Sequence, residues 1–176
     1  MASRGLTPGP AQRVITAMTE SELSAATRRL LEDVETHGWH SQHVFDPELA
    51  RPNFSYSVGF TQTLGAPEFI VFGLHRDVMH DMLGEVFRQV KAGRKVEGDQ
   101  RWHGLSEDFD CFGKKASHDG LFTTYAVLAD WFWQRQGQSG HPAMIQLVWP
   151  GLLDGLFPWD EGCAPGVIAA QPRLWA

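Results

Sequence analysis

Residues 37–75, HGWHSQHVFDPELARPNFSYSVGFTQTLGAPEFIVFGLH, crowd three β-type runs and their turns into one stretch. Trp39 to Asp46 alternates as a strand, and Phe54 to Phe60 does so again. Asp46-Pro47 and Arg51-Pro52-Asn53 turn the chain between them, because proline fixes its own φ and restricts the residue before it. Strands joined by so short a loop pair most easily as an antiparallel hairpin. In the second strand Phe54, Tyr56, Val58 and Phe60 share one face, and Ser55, Ser57, Gly59 and Thr61 share the other. So small a face admits a closely packed helix or a ligand, and close packing is the simpler reading. Gly65-Ala66-Pro67 then leads into Glu68 to Leu74, a run apolar on both sides and therefore expected at the centre of a covered sheet.

Helices flank this stretch. Thr19 and Glu22 have capping-box spacing, with Met18 and Leu23 at the staple positions around them. Leu23, Ala26, Thr27, Leu30, Leu31 and Val34 recur at helical intervals, and Gly38 suits the residue that ends the helix, with His37 in its last turn. A second helix is expected with Asp77 as N-cap, Met79, Met82, Leu83, Val86, Phe87 and Val90 as its stripe, and Gly93 as its stop. Phe109 to Lys115 reads as a strand. A third helix, capped by Ser117 or Asp119, carries Leu121, Phe122, Tyr125, Leu128, Ala129 and Phe132. Ala143 to Trp149 is another buried strand.

These signals predict an α+β fold, a single-layer mixed and mostly antiparallel sheet packed by about three helices. Residues 39–46, 54–60, 69–74 and 143–149 are expected to pair in that one sheet, each being too apolar to lie alone in water. The domain is expected over 19–162, after a flexible Gly- and Pro-containing lead-in at 1–18 and before an irregular tail at 163–176.

A formal charge of −6 argues against nucleic acid, whose binding is driven by Lys and Arg. No apolar run approaches the ~20 residues that cross a bilayer, so no membrane association is expected. The lead-in lacks the apolar core of a secretory signal, and only Cys111 and Cys163 occur, which fits a reducing cytoplasm. His37, His40 and His43 stand three apart, a spacing that sends strand side chains to opposite faces, and no Cys-x-x-Cys pair exists, so no metal is expected. A Walker loop, a dinucleotide fingerprint and a Gly-x-Ser-x-Gly elbow are missing too, and no cofactor is called for.

Polar residues inside apolar runs are the remaining clue, since a buried amide, hydroxyl or carboxylate must find partners. Gln146 interrupts Met144 to Trp149, Glu68 opens the central strand, and His75 closes it where ligand crevices of open sheets tend to lie. Each has a structural alternative: Gln146 can bridge backbone, Glu68 can cap a helix, and His75 can be an exposed loop residue. The candidate ligand-binding set is Tyr56, Ser57, Glu68, His75, Gln146 and Trp149, with Phe157 to Asp160 folding back so that Trp159 and Asp160 complete a wall. Three classes of function remain. One is a module for a small-molecule or peptide ligand. Another is a hydrolase or transferase with His75 or His40 as base and Glu68 or Asp160 as partner. A third is an interaction domain presenting Trp131, Trp133 and Trp159. The binding module ranks first because no catalytic constellation is visible; a homo-oligomer is left open.

Several segments together also carry a resemblance. His37-Gly38-Trp39, Phe54 to Phe60, Gly65 to Phe69, Phe72-Gly73-Leu74, Gln146 to Pro150 and Asp154 to Asp160 resemble the domain of unknown function 4262 family, across roughly residues 25 to 162. The resemblance implies a bacterial domain and supplies no activity. Where the family often has Asp directly after Trp-Pro, this chain has Gly151, with Asp154 three residues on.

Overall fold

In the computed structural model residues 20–48 and 51–176 are described, with side chains from residue 24 onward. The lead-in and the expected cap and staple at Met18, Thr19, Glu22 and Leu23 lie outside the described side chains. The elements are α1 (Glu20–His37), β1 (His40–Val44), β2 (Phe54–Val58), α2 (Phe60–Leu64), β3 (Glu68–Phe72), α3 (Arg76–Lys91), β4 (Gln100–Trp102) and β5 (Cys111–Lys115). A π-helical turn (Leu121–Tyr125), α4 (Val127–Arg135), β6 (Met144–Val148) and α5 (Pro165–Ala169) follow. The six strands form one sheet in the order β1-β2-β3-β6-β5-β4. Only β3 and β6 run parallel. The α+β architecture read from the sequence therefore holds, and its four expected strands share one sheet.

Each face of the sheet carries its own core. On the first, Phe54, Tyr56, Val58, Ile70, Phe72 and Met144 pack with Leu30 and Val34 of α1 and with Leu121, Ala126, Ala129 and Phe132. On the second, Phe69, Val71, Ile145 and Leu147 meet Met79, Met82, Leu83 and Val86 of α3. The small face of β2, with Ser55 and Ser57, is the one α3 packs against. That is the close-packing alternative, which works because hydroxyl-sized side chains let a helix approach.

Local differences from the sequence reading have physical causes. Phe60 opens α2 instead of ending β2, since Gly59 at φ 107° turns the chain out of the strand. His75, not Asp77, is the N-cap of α3: its ring accepts the Asp77 N–H at 3.3 Å. The third helix begins as a π turn, with the Ala126 N–H donating to the Leu121 carbonyl at 2.8 Å, before α4 takes over. Residues 100–102 add an edge strand that the sequence had not suggested.

The segment after β6 contains the short helix α5 and then crosses the C-terminal ends of the parallel pair. Val167 and Ala170 pack on the second core, while Leu174 is buried in the first. Gly73 makes the crossing possible. It sits at φ 73°, and a Cβ there would lie 2.5 Å from the Ala170 carbonyl oxygen.

Candidate binding groove

Glu68, 1% exposed, faces a nest of donors at the start of α2. Its Oε1 accepts from the Gly59 and Thr61 N–H groups at 2.9 and 3.2 Å, and its Oε2 accepts from Ser57 Oγ at 2.5 Å. Ser57 Oγ in turn accepts from the Phe69 N–H at 2.9 Å. Burial pushes the Glu68 carboxyl above its usual range even though the four neighbouring donors pull it down. The pair joins β2, α2 and β3; both groups are consumed by the fold.

The other strand candidates are spent similarly. Tyr56 Oη accepts the Leu128 N–H at 3.3 Å, holding the first turn of α4, and burial raises its phenol pKa. Trp149 donates its indole N–H to the Phe72 carbonyl at 2.8 Å, tying the ends of β6 and β3. Gln146 is fully buried; its Nε2 donates to the Pro172 carbonyl at 2.8 Å and its Oε1 accepts the Leu174 N–H at 3.0 Å. His75 caps α3 with its side chain 75% exposed, at the opposite end of β3 from Glu68. Asp160 accepts the Phe157 N–H at 2.8 Å and fixes that turn. Seven of the sequence candidates (Tyr56, Ser57, Glu68, His75, Gln146, Trp149 and Asp160) line none of the cavities described below.

Trp159 is different. The tail and the 157–160 turn enclose a groove of about 540 Å³ lined by Lys114, Trp159, Gln171, Arg173 and Trp175, with Pro158, Pro172 and Ile168 as apolar walls. The turn folds onto β5: Phe157 stacks on Trp159 at 4.9 Å, and both meet Phe112 edge-on. Trp175 stands edge-on to Trp159 at 5.8 Å. Lys114 Nζ lies 5.0 Å from the Trp159 ring centre and 3.3 Å from Asp99, and the Arg173 guanidinium lies 5.6 Å from the Trp175 ring. Trp159 remains 43% exposed.

The floor is held by two glutamines. Gln171 accepts the Trp149 N–H at 2.9 Å and donates to the Trp149 carbonyl at 2.8 Å, imitating a strand neighbour. Gln146 holds the next turn of tail from below. Lys114 stands opposite Gln146 in the β5–β6 register, so the groove lies directly over the amide. Sequence reasoning placed Trp159 and its turn as a wall but missed Lys114, Gln171, Arg173 and Trp175. Only the tryptophan and proline content of 171–176 hinted at them.

The proposed acid–base pairs do not assemble. His40 stands 2.6 Å from Asp33 and His75 3.8 Å from Asp77, and neither approaches Glu68 or Asp160 through a hydrogen bond. His103 pairs with Asp110 at 2.7 Å and His141 with Asp130 at 2.6 Å. Both cysteines are buried with thiol pKa values raised. Among the described residues no three His, Cys, Asp or Glu side chains are grouped to hold a metal, and no helix is long and apolar enough to cross a membrane. Trp131 and Trp133 are half-buried on α4, the latter donating to the Ser139 carbonyl at 3.1 Å. Gly151 lies beneath Asp154, whose carboxylate fills the space a side chain at 151 would take and accepts the Leu156 N–H at 3.0 Å.

Residues 33–164 match a family model described as Domain of unknown function (DUF4262). No curated protein and no solved structure matches the chain. Lys114, Pro158 and Trp159 fall within the matched span, whereas the tail side of the groove lies beyond it.

Proposed function

We propose, for a chain that belongs to the DUF4262 family, that the groove over β5 binds a small molecule or short peptide carrying a flat apolar group and a negative charge. The observation that carries this reading is the pairing of two tryptophans with two cations, Lys114 and Arg173, around one concavity. A ring laid against the exposed surface of Trp159 and Trp175 gains aromatic contact, and a carboxylate beside it meets the two cations. The volume falls in the ~300–1,000 Å³ range of small-molecule sites. The rigid floor supports the reading as well, because a site that is held in place before binding loses less entropy on binding.

Calorimetric titration with aromatic carboxylates, indole-3-acetate among them, tests it. Wild type is expected to bind, and Trp159→Ala to weaken binding by about tenfold or more, as truncation of a central aromatic anchor does. Lys114→Met is expected to favour neutral indoles over the acid. Equal binding by all three proteins contradicts the reading.

A further inference from the structure

We infer that a second cavity, between α1, β1 and the start of α3, is an oxyanion site that takes the phosphoryl group of a small soluble organic phosphate. The cavity measures about 370 Å³ and is lined by Arg29, His40, Ser41, Gln42, His43 and Arg76, with Ala25 and Ala26 as its apolar side. Arg29 and Arg76 come from different helices, yet they open on the same space. Neither has an ion-pair partner among the described residues. In a chain of net charge −6, two guanidinium groups facing one cavity without a carboxylate partner leave a concentration of positive charge that an anion would satisfy.

One imidazole, that of His43, is already oriented for such a ligand. His43 Nδ1 lies 2.9 Å from Ser55 Oγ, so the ring is pinned from the buried side and Nε2 has no partner among the described residues. Asp33 holds His40 Nδ1 at 2.6 Å and Gln42 Oε1 meets its Nε2 at 3.2 Å, which spends the Asp33 carboxylate on an imidazole. The His43 pKa is lowered by burial, then by Arg76 and by His75, so the local field already disfavours a further cation. A bound dianion reverses that field. Two planar forks suit the tetrahedral oxygens of a phosphoryl group, which can accept bidentate bonds from each. The space exceeds that of a bare phosphate, and the alanine side accommodates an organic remainder. No residue of the C-terminal groove takes part.

Calorimetry on the full chain with inorganic phosphate and with ribose 5-phosphate is the test, alongside sedimentation with phosphatidylcholine vesicles with and without phosphatidic acid. The sugar phosphate is expected to bind more tightly than inorganic phosphate, and binding is expected to weaken as salt is raised. Arg29→Gln and Arg76→Gln should each weaken it about tenfold. Arg29→Lys and Arg76→Lys, which keep the charge without the fork, should retain part of the affinity. Lys95→Met, which removes an exposed cation before β4 at the opposite edge of the sheet from β1, should leave phosphate binding unchanged. Both arginines are exposed, so the variants are expected to keep the wild-type circular dichroism. Absence of binding by both phosphates, indifference to the arginine variants, or binding to phosphatidic acid vesicles alone overturns the proposal.

Discussion

At the scale of single residues, Glu68 and Gln146 turn the demand for buried hydrogen bonds into long-range ties. Gln146→Leu leaves the Pro172 carbonyl and the Leu174 N–H without partners, and unsatisfied buried groups cost roughly 1–3 kcal/mol each. Chemical denaturation is therefore expected to show a loss of about 2–4 kcal/mol; an unchanged midpoint would mean that the amide serves something other than the tail. Glu68 makes a prediction about pH. Its carboxyl is raised in the folded state, so between the unfolded value near 4.5 and the higher folded one the native chain holds a proton that the unfolded chain has lost. The stabilisation is full below the unfolded pKa and is lost as pH rises through the folded one. Glu68→Gln cannot titrate, so its stability relative to wild type should improve steadily across that rise; a difference constant with pH would contradict the assignment. Both residues were visible in the sequence as polar interruptions of apolar runs. Their partners were not, because the Leu174 N–H and the Gly59 and Thr61 amides are brought in by folding, not by spacing.

At the scale of elements, the strands were legible where apolar residues alternate, and the helices where they recur every three or four residues. The same signals misplace boundaries when a glycine or an extra residue intervenes. Gly59 keeps the alternation through Phe60 while its positive φ ends the strand. The spacing of Leu121 and Tyr125 suits an α-helix, but the backbone there takes the wider π bond before α4. Gly73 is the hinge on which the tail docks. Gly73→Ala would strain a left-handed backbone and press on Ala170, so a loss of about 2 kcal/mol or more is expected, together with loosening of residues 170–174 in hydrogen exchange. Protection unchanged in those amides would show that α5 does not depend on this close approach.

At the scale of the molecule, the sheet joins β3 to β6 although 76 residues separate Glu68 from its partner Met144, and the tail then closes over the ends of that parallel pair. Pattern reading suggests which segments are strands, but not their order, since only non-local pairing decides it. For the same reason the groove was half legible: the 157–160 turn announces an aromatic wall, while Lys114, Arg173 and Trp175 converge on it from separate segments. The seven tryptophans allow a direct test. Protein labelled with 5-fluorotryptophan, its signals assigned by single Trp→Phe variants, can be titrated with indole-3-acetate and followed by fluorine NMR. The expected result is a saturable shift of the Trp159 and Trp175 signals while those of Trp102 and Trp133 stay in place. Stationary Trp159 and Trp175 signals at saturating ligand, or movement confined to Trp131 and Trp133, would contradict the groove as the binding site.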